Sequence, residues 1–384
     1  MTDFDIAIIG GGLVGTTLAI YLKNSGFKIV LVEAFTPGTH QQSREDMRSI
    51  ALNYRSREIF KKLNIWPELE SLSTPIEKIH ISEKGTFGNT VLDAKDLSRE
   101  YENNSFGSVI PIPYLYNTLQ DHLANIENIE LLRPAKLSGL SQHKDYWELE
   151  INQKKYKTTL LIAADGDKSF IRDYLTLPTE KKDYNQTAIV STLLASKNHH
   201  NTAYERFTDQ GILALLPLQN NRVACIWTCD NTITEEIKNN FVDITQHSIG
   251  YRLGKLSNSA TIQTYPIYEL IAQTQTLPQF ILLGNSAHVL HPVAAQGLNL
   301  SLRDVDVLAN ILLSKKDLKD NSIQQDYIKL RKQDQESTAK MTNRIITLFE
   351  PKQFPLPCLR SMGLFTFDLM TPLKNKFCEK AMGL

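Results

Sequence analysis

Phe4-Asp-Ile-Ala-Ile-Ile9, Gly10-Gly11-Gly12-Leu13-Val14-Gly15 and, after a helical segment, Phe27-Lys-Ile-Val-Leu-Val32-Glu33 form the stretch on which the fold turns. The first run has the length and branching of a buried parallel strand. Thr16 to Asn24 places Leu18, Ala19 and Leu22 at helical spacing, and Gly26 stands where a C-cap is expected. Phe27 to Val32 reads as a second buried strand with Glu33 at its end. A bare G-x-G-x-x-G is weak evidence, because glycine is common. Here it follows a strand and opens a helix, and an acid follows 18 residues after Gly15. Gly10 allows the tight turn, Gly12 lets the backbone approach a pyrophosphate, and Gly15 lets helix and strand pack closely. The helix N-terminus, with the N–H groups of Leu13 and Val14, offers a positive dipole end to phosphates. Glu33 can accept from both ribose hydroxyls of an adenosine, and its charge disfavours a 2′-phosphate. The plain alternative is a glycine-rich turn in an unrelated α/β protein.

Outward from that unit the pattern becomes mixed. Ser56–Leu63 and Tyr114–Asn125 look helical; Lys78–Ser82, Glu130–Leu132 and Tyr146–Ile151 look like strands. The apolar run Thr159–Ala164 ends in Asp165-Gly166. From about Asn185 to Tyr268 the chain is strand-rich, with one helix near Glu235–His247. Phe280–Leu283 returns as a buried strand, and Leu298–Leu313 is a strong helix. The expected architecture is α/β: a discontinuous dinucleotide-binding domain (1–75, 106–180 and 277–323), an inserted, mostly antiparallel sheet domain (76–105 and 181–276) and a helical region (324–384).

The glycine motif does not separate NAD from FAD; the C-terminal half favours FAD. Ile281-Leu-Leu-Gly284-Asn285-Ser-Ala-His288 is a strand entering a turn, followed by His291-Pro292-Val-Ala-Ala295-Gln296-Gly297-Leu298-Asn299 and a helix. Asn285 at the strand end can hold a ribityl chain. The helix start at Gly297 to Asn299 can stabilise negative charge on a reduced flavin ring. Pro292, Gln296 and Gly297 are the candidates to face that ring.

The remaining features exclude more than they assign. The 384-residue chain has 42 basic and 42 acidic side chains, so it carries no electrostatic footprint for nucleic acid. Cys225, Cys229, Cys358 and Cys378 form no C-x-x-C, and Cys225 and Cys229 are expected to share one core-facing side of a strand. No second G-x-G-x-x-G occurs, so NAD(P)H is expected to bind transiently, without a Rossmann domain of its own. His288 and His291 lack a third partner at metal-ligand spacing, so no metal is expected. Asp304 and Asp306 read as helix surface or cap partners. No signal peptide and no membrane-spanning run are read, which makes a cytoplasmic protein the expectation. The apolar tail, with Phe349, Phe354, Leu359, Met362, Phe365, Phe367, Leu369 and Phe377, has two readings. It packs on the body, or it meets a membrane or partner beside Arg360, Lys374, Lys376 and Lys380.

Four segments in order resemble the FAD-dependent aromatic hydroxylases of the para-hydroxybenzoate hydroxylase fold, and among them the ubiquinone-biosynthesis hydroxylases (the UbiH/UbiF/VisC group). They are Gly10 to Glu33; Asp46-x-Arg48-x-Ile50-Ala51-Leu52; Ala164-Asp165-Gly166-x-x-Ser169-x-x-Arg172; and Gly284-Asn285 through Gly297-Leu298-Asn299 to Arg303-Asp304. Tyr204-Glu205-Arg206-Phe207 is similar to a substrate-domain strand of the ubiquinone group. The resemblance implies that Arg48 reaches the cofactor and that Asp165-Gly166 serves FAD and nicotinamide. It implies an FAD monooxygenase that uses NAD(P)H and O2, through a flavin C4a-hydroperoxide, to hydroxylate a polyprenylated phenol, with a possible peripheral site on the membrane or in a biosynthetic complex. It names no general base. Asn285 replaces the usual Asp, which resembles the UbiH branch acting on 2-polyprenyl-6-methoxyphenol. Ala295 replaces a usual Gly. Other flavin oxidoreductases of the superfamily, or a non-catalytic FAD-binding subunit, are the alternatives; Trp66, Trp147 and Trp227 form no halogenase W-x-W-x-I-P motif.

Overall fold

The computed structural model describes residues 2–36, 48–97, 105–124, 126–315, 317–349 and 356–384, without the side chains of 2, 349 and 356–360. Asp46 and Phe354, and the side chains of Phe349, Cys358, Leu359 and Arg360, therefore lie outside the described residues.

One sheet is built around five parallel strands in the order Phe280–Leu282, Lys154–Ala163, Thr2–Ile9, Ile29–Val32, Ile129–Leu132. Strand parity decides its two faces. Ile6, Ile8, Leu31, Leu160, Ile162 and Ile281 bury against the helices Leu13–Tyr21, Ile112–Leu123 and Gln296–Ser314. Their neighbours Ala7, Ile9, Val30, Leu161 and Leu282 bury on the other side with Trp147 and Leu149 of an antiparallel extension. A strand covered on both faces must be apolar at every position, which is why these runs do not alternate in sequence. The first helix begins at Leu13 and ends at Tyr21, not at the expected Thr16 and Asn24. Its glycines belong to the loop and first turn, and Gly26, at φ +79°, turns the chain toward the next strand.

The second sheet is mostly antiparallel and runs His288–Val289, Gln263–Ala272, Thr179–Ala195, Arg222–Asp230, Gly211–Pro217, Thr202–Thr208, Lys78–Glu83, Asn89–Asp93. Its first strand comes from the segment between Leu283 and the Gln296–Ser314 helix, so this sheet reaches into the fourth motif. On one face Ile189, Leu213, Cys225, Trp227 and Cys229 bury against the helices Thr234–Asn239 and Phe241–Ile249. The two cysteines share that face, as their spacing predicts. The expected single helix near Glu235–His247 is two. On the opposite face Leu92, Ala203 and Ala224 meet Phe367, Phe377, Cys378 and Met382 of the tail.

The tail forms the helices Ser322–Phe349, Leu356–Leu369 and Thr371–Ala381. It closes the edge strand Asn89–Asp93, which would otherwise present unpaired backbone. Asp368 accepts from Thr90 Oγ1 at 2.8 Å and Val91 N at 3.2 Å. Among the described residues no helix is long and apolar enough to cross a membrane.

Candidate functional site

Three parallel strands end level with one another: Ile9 pairs with Ala163, and Ala163 with Leu282. Their carboxyl ends release the Gly10–Gly15 loop, Ala164-Asp165-Gly166 and Gly284-Asn285 side by side. Crevices of this kind, outside the strand ends of an open parallel sheet, are where such folds bind ligands. The loops touch at their glycines. A methyl on Gly10 would stand 2.2 Å from Ala164 O, one on Gly15 2.0 Å from Gly10 O, and one on Gly284 3.1 Å from Val14. Built on Gly12, Gly166 or Gly297, it would meet nothing within 4 Å. Three glycines hold the loops together, and three leave bare backbone beside open space. The Leu13–Tyr21 helix has Gly12 as N-cap and no side-chain cap, so its first N–H groups stay available there.

Glu33 is buried and grips the glycine loop. Its Oε2 accepts from Gly11 N at 2.8 Å and its Oε1 from Phe35 N at 2.9 Å. Each oxygen keeps a second lone pair, which leaves capacity for hydroxyl donors. Gly11 itself is a site residue the motif reading passes over: a methyl there would stand 2.9 Å from Glu33 Cβ. Asp165 is the orphan. Its Oδ2 accepts from Ile171 N at 3.2 Å, while its buried Oδ1 has no partner. Burial pushes its carboxyl up, and hydrogen bonds from Ser169 and Ile171 N only partly offset this. A buried acceptor without a donor costs about 1–3 kcal/mol, so a bound group carrying a hydroxyl or N–H fits there. Arg172 ties this motif to the fourth, donating to Ser286 O at 3.2 Å and Asp167 O at 2.8 Å.

The loop before the Gln296–Ser314 helix carries Ala294 and Ala295 at φ +60° and +49°. The family's usual glycine at the second position is thus explained: this chain accepts a left-handed alanine where glycine avoids the Cβ penalty, roughly 1–2 kcal/mol. Asn285 is exposed at the turn, and Pro292 precedes the loop. Gln296 is turned inward, donating to Ala294 O at 3.1 Å and to Ala381 O at 3.3 Å. Asn299 is saturated. Its amide nitrogen donates to Ala51 O at 2.8 Å and Ala295 O at 2.7 Å, and its oxygen accepts from Asn53 N at 2.9 Å and Ser56 Oγ at 2.7 Å. Its side chain holds three segments together, and the helix start is left to its backbone. Arg48 lies with its guanidinium 5.0 Å from the Tyr265 ring centre, against the second sheet.

One expectation is corrected. Asp304 and Asp306 are not helix surface. Asp304 is fully buried between His288 Nε2 at 2.6 Å and Arg331 Nε at 2.5 Å. Burial pushes its carboxyl up, but the charges and hydrogen bonds of His288 and Arg331 outweigh it and hold it below the usual carboxylate range. Asp306 accepts from Tyr21 Oη at 2.5 Å and pairs with Arg55 at 2.9 Å. Of the two readings of the tail, Lys374 follows the one in which it packs on the body: it donates to Val91 O at 2.9 Å and Asp368 at 3.1 Å. Lys376 and Lys380 remain exposed.

Beside the Ala294–Asn299 loop opens a cavity of about 870 Å³. Its walls are the second sheet's Ile79, Ile81 and Leu92, the Ala51–Asn53 strand end, and the tail's Leu364, Phe367 and Phe377. Glu205 and Cys378 are its only titratable lining groups among the described residues. Neither the cavity nor the place of Glu205 in it was read from sequence. Strand parity could have put Glu205 on the face of Ala203 and Phe207, but not against a tail some 160 residues away.

Residues 3–336 match the FAD binding domain family. Ubiquinone hydroxylase UbiL of Rhodospirillum rubrum is 27% identical over 99% of this chain and 89% of its own length. The 3-demethoxyubiquinol 3-hydroxylase of Escherichia coli is 26% identical over 99% and 98%. In fold, the chain superposes on p-nitrophenol 4-monooxygenase PnpA of Pseudomonas putida with TM-score 0.85, at 16% identity, covering 100% of this chain and 99% of that one.

Proposed function

The chain belongs to the FAD binding domain family and is a flavin-dependent aromatic monooxygenase; from that premise we propose that it hydroxylates the ring of a polyprenylated phenol in ubiquinone biosynthesis, with NAD(P)H as reductant and O2 as oxidant. The observation that carries the substrate class is the cavity. It runs from the Ala294–Asn299 loop, between the second sheet and the tail, and its walls are almost wholly apolar. An isoprenoid chain gains roughly 0.8 kcal/mol per buried CH2 in such a place.

We assign FAD to the crevice at the strand ends. Leu13, Val14 and the Gly10, Gly12 and Gly15 backbone would take the pyrophosphate, and Glu33 the adenosine ribose. Asp165, Gly166, Gly284 and Asn285 would take the linker and ribityl hydroxyls. Gly297 and Leu298 would border the ring, with Pro292 and Gln296 at its edge and Asn299 fixing the loop. Arg48 would approach the cofactor from the second sheet. The orphan oxygen of Asp165 and the open space beside Gly12, Gly166 and Gly297 support this fit. Bound FAD supplies hydride acceptance and oxygen activation. The protein's part is to hold the phenol against the ring and keep water out, a task that the second sheet shares with the tail. A membrane-peripheral position in the cytoplasm suits a substrate of this kind.

The test has two arms. Cells lacking the protein are expected to accumulate a quinone precursor short of one ring hydroxyl. Purified FAD-loaded protein is expected to oxidise NAD(P)H faster when a prenylated phenol is added. An unchanged precursor profile together with unstimulated oxidation overturns the reading.

A further inference from the structure

Glu205 stands alone in an apolar cavity. Strand parity points Ala203, Glu205 and Phe207 of Thr202–Thr208 to the cavity side, and Tyr204 and Arg206 to the helix-covered side. Its neighbours in register are Ile81 on one strand and Ala214 on the other. The surrounding lining from the adjacent strands and the tail includes Ile79, Leu92, Phe367 and Phe377. No hydrogen bond or ion pair reaches the carboxyl among the described residues. The nearby cations, Arg206 and Arg252, act on Tyr204 and His80, on the opposite face of the sheet. Arg206 donates to Ser82 Oγ at 2.9 Å there. The residue is half-buried: its carboxyl faces apolar walls and keeps access to the cavity, with nothing among the described residues to pair it. Such a placement is costly unless a ligand supplies the missing donor.

Resting on the hydroxylase reading above, we propose that Glu205 is a catalytic proton acceptor: it binds the substrate's phenol hydroxyl and takes its proton. The O–H bond breaks, the electron pair stays on the phenol oxygen, and the proton moves to the Glu205 carboxylate. The products are a phenolate, whose ring is richer in electrons for oxygen transfer, and a neutral carboxylic acid that suits its apolar surroundings. Burial alone pushes the Glu205 carboxyl up to about 7, which places it where a proton acceptor is effective near neutral pH. The same cavity is bordered by Ala294, Ala295 and Gln296, so one ligand can span both the carboxyl and the loop proposed to face the flavin. Cys378, the other titratable lining group, has its thiol pushed by burial up to about 11 and stays protonated.

The experiment uses the full chain loaded with FAD, and a farnesyl-substituted phenol in micelles. Glu205→Gln is expected to keep FAD and remain folded. Its hydroxylated product formed per NAD(P)H oxidised is expected to fall roughly 10²-fold. The wild-type kcat/KM for the phenol should decline as pH drops below about 7, where the carboxyl protonates, and the Gln variant should lose that limb. Glu205→Asp should recover part of both. A second measurement needs no turnover: ultraviolet difference spectra at pH 8 should show bound phenolate with the wild type and bound phenol with Glu205→Gln. A wild-type pH profile and phenolate spectrum in the Gln variant overturn the role of Glu205. A wild type that binds phenolate but forms no hydroxylated product overturns the hydroxylase reading instead. Failure of the wild type to bind the phenol removes both.

Discussion

Glu33 and His291 show how one side chain carries two obligations. Glu33 anchors Gly11 and is proposed to hold a ribose. Glu33→Ala should therefore weaken FAD binding by about 1.5–3 kcal/mol, the worth of a hydrogen bond to a charged group, and loosen the loop as well. Titration of FAD into apoprotein checks this; equal affinity in the two proteins rejects the assignment. His291 is fully buried, accepts from Val293 N at Nδ1 (3.1 Å) and meets Gln186 Oε1 at Nε2 (3.1 Å). Only a neutral ring satisfies both bonds. Burial, and secondarily Lys182, holds its pKa down to about 4. The unfolded ring titrates near ~6.5. Between those values the unfolded chain binds the extra proton, so the neutral ring stabilises the fold above about 6.5, and that contribution is lost as pH falls toward about 4. It amounts to roughly 3 kcal/mol. Urea unfolding at pH 7.5 and 4.5 should show a smaller acid loss in His291→Asn than in wild type.

At the scale of elements, a buried ionic cluster locks the Gln296–Ser314 helix to Ser322–Phe349 and to the turn before it. Asp304 and Arg331 meet at side-chain exposures of 0% and 6%, with His288 on the far carboxylate oxygen at 1%, so little water screens them. Arg331 also donates to Asp334 at 2.6 Å. Removing one member of such a group leaves a stranded charge, which costs about 3–5 kcal/mol. Arg331→Met is expected to unfold at lower denaturant by that amount, and adding Asp304→Asn should recover part of it. Strict additivity of the two changes would mean that the pair is not coupled. Because Asp304 is held below the usual carboxylate range, its share of stability is present above that range and is lost as pH falls through its lowered value.

Across the whole molecule, the tail is both lining and surface. Phe367 packs edge-on against Phe377, with ring centres 5.8 Å apart, inside the cavity wall. Phe365 and Leu369, by contrast, are 53% and 69% exposed, with Met362, Met370 and Leu373 beside them. Exposed apolar groups next to Lys376 and Lys380, at the wall of a cavity suited to an isoprenoid, form a surface we expect to rest on an anionic bilayer. Phe365→Ser/Leu369→Ser should abolish co-sedimentation with anionic liposomes and leave thermal stability unchanged, since neither side chain belongs to the core. Phe367→Ser would not serve, because it would open the cavity wall. Equal sedimentation of the variant and the intact chain would assign these residues no membrane role.

The glycine turn, the parallel strands and the place of Glu33 at a strand end were legible because each depends on chain neighbours: a strand run, a turn that only glycine permits and a helix start lie within 33 residues. The shared face of Cys225 and Cys229 was legible for the same reason, through period two. Side-chain partners that lie far along the chain were not legible. Asn299 is saturated by Asn53 and Ser56, 246 and 243 residues away, and Lys374 is held by Val91, 283 residues away. Asp304 carries a surface residue's chemistry and becomes a core residue only when His288 and Arg331 close around it. The lone Glu205 carboxyl is the extreme case. Period two fixes which side of its strand it takes, but only the tail folding back over that side makes an apolar cavity around it.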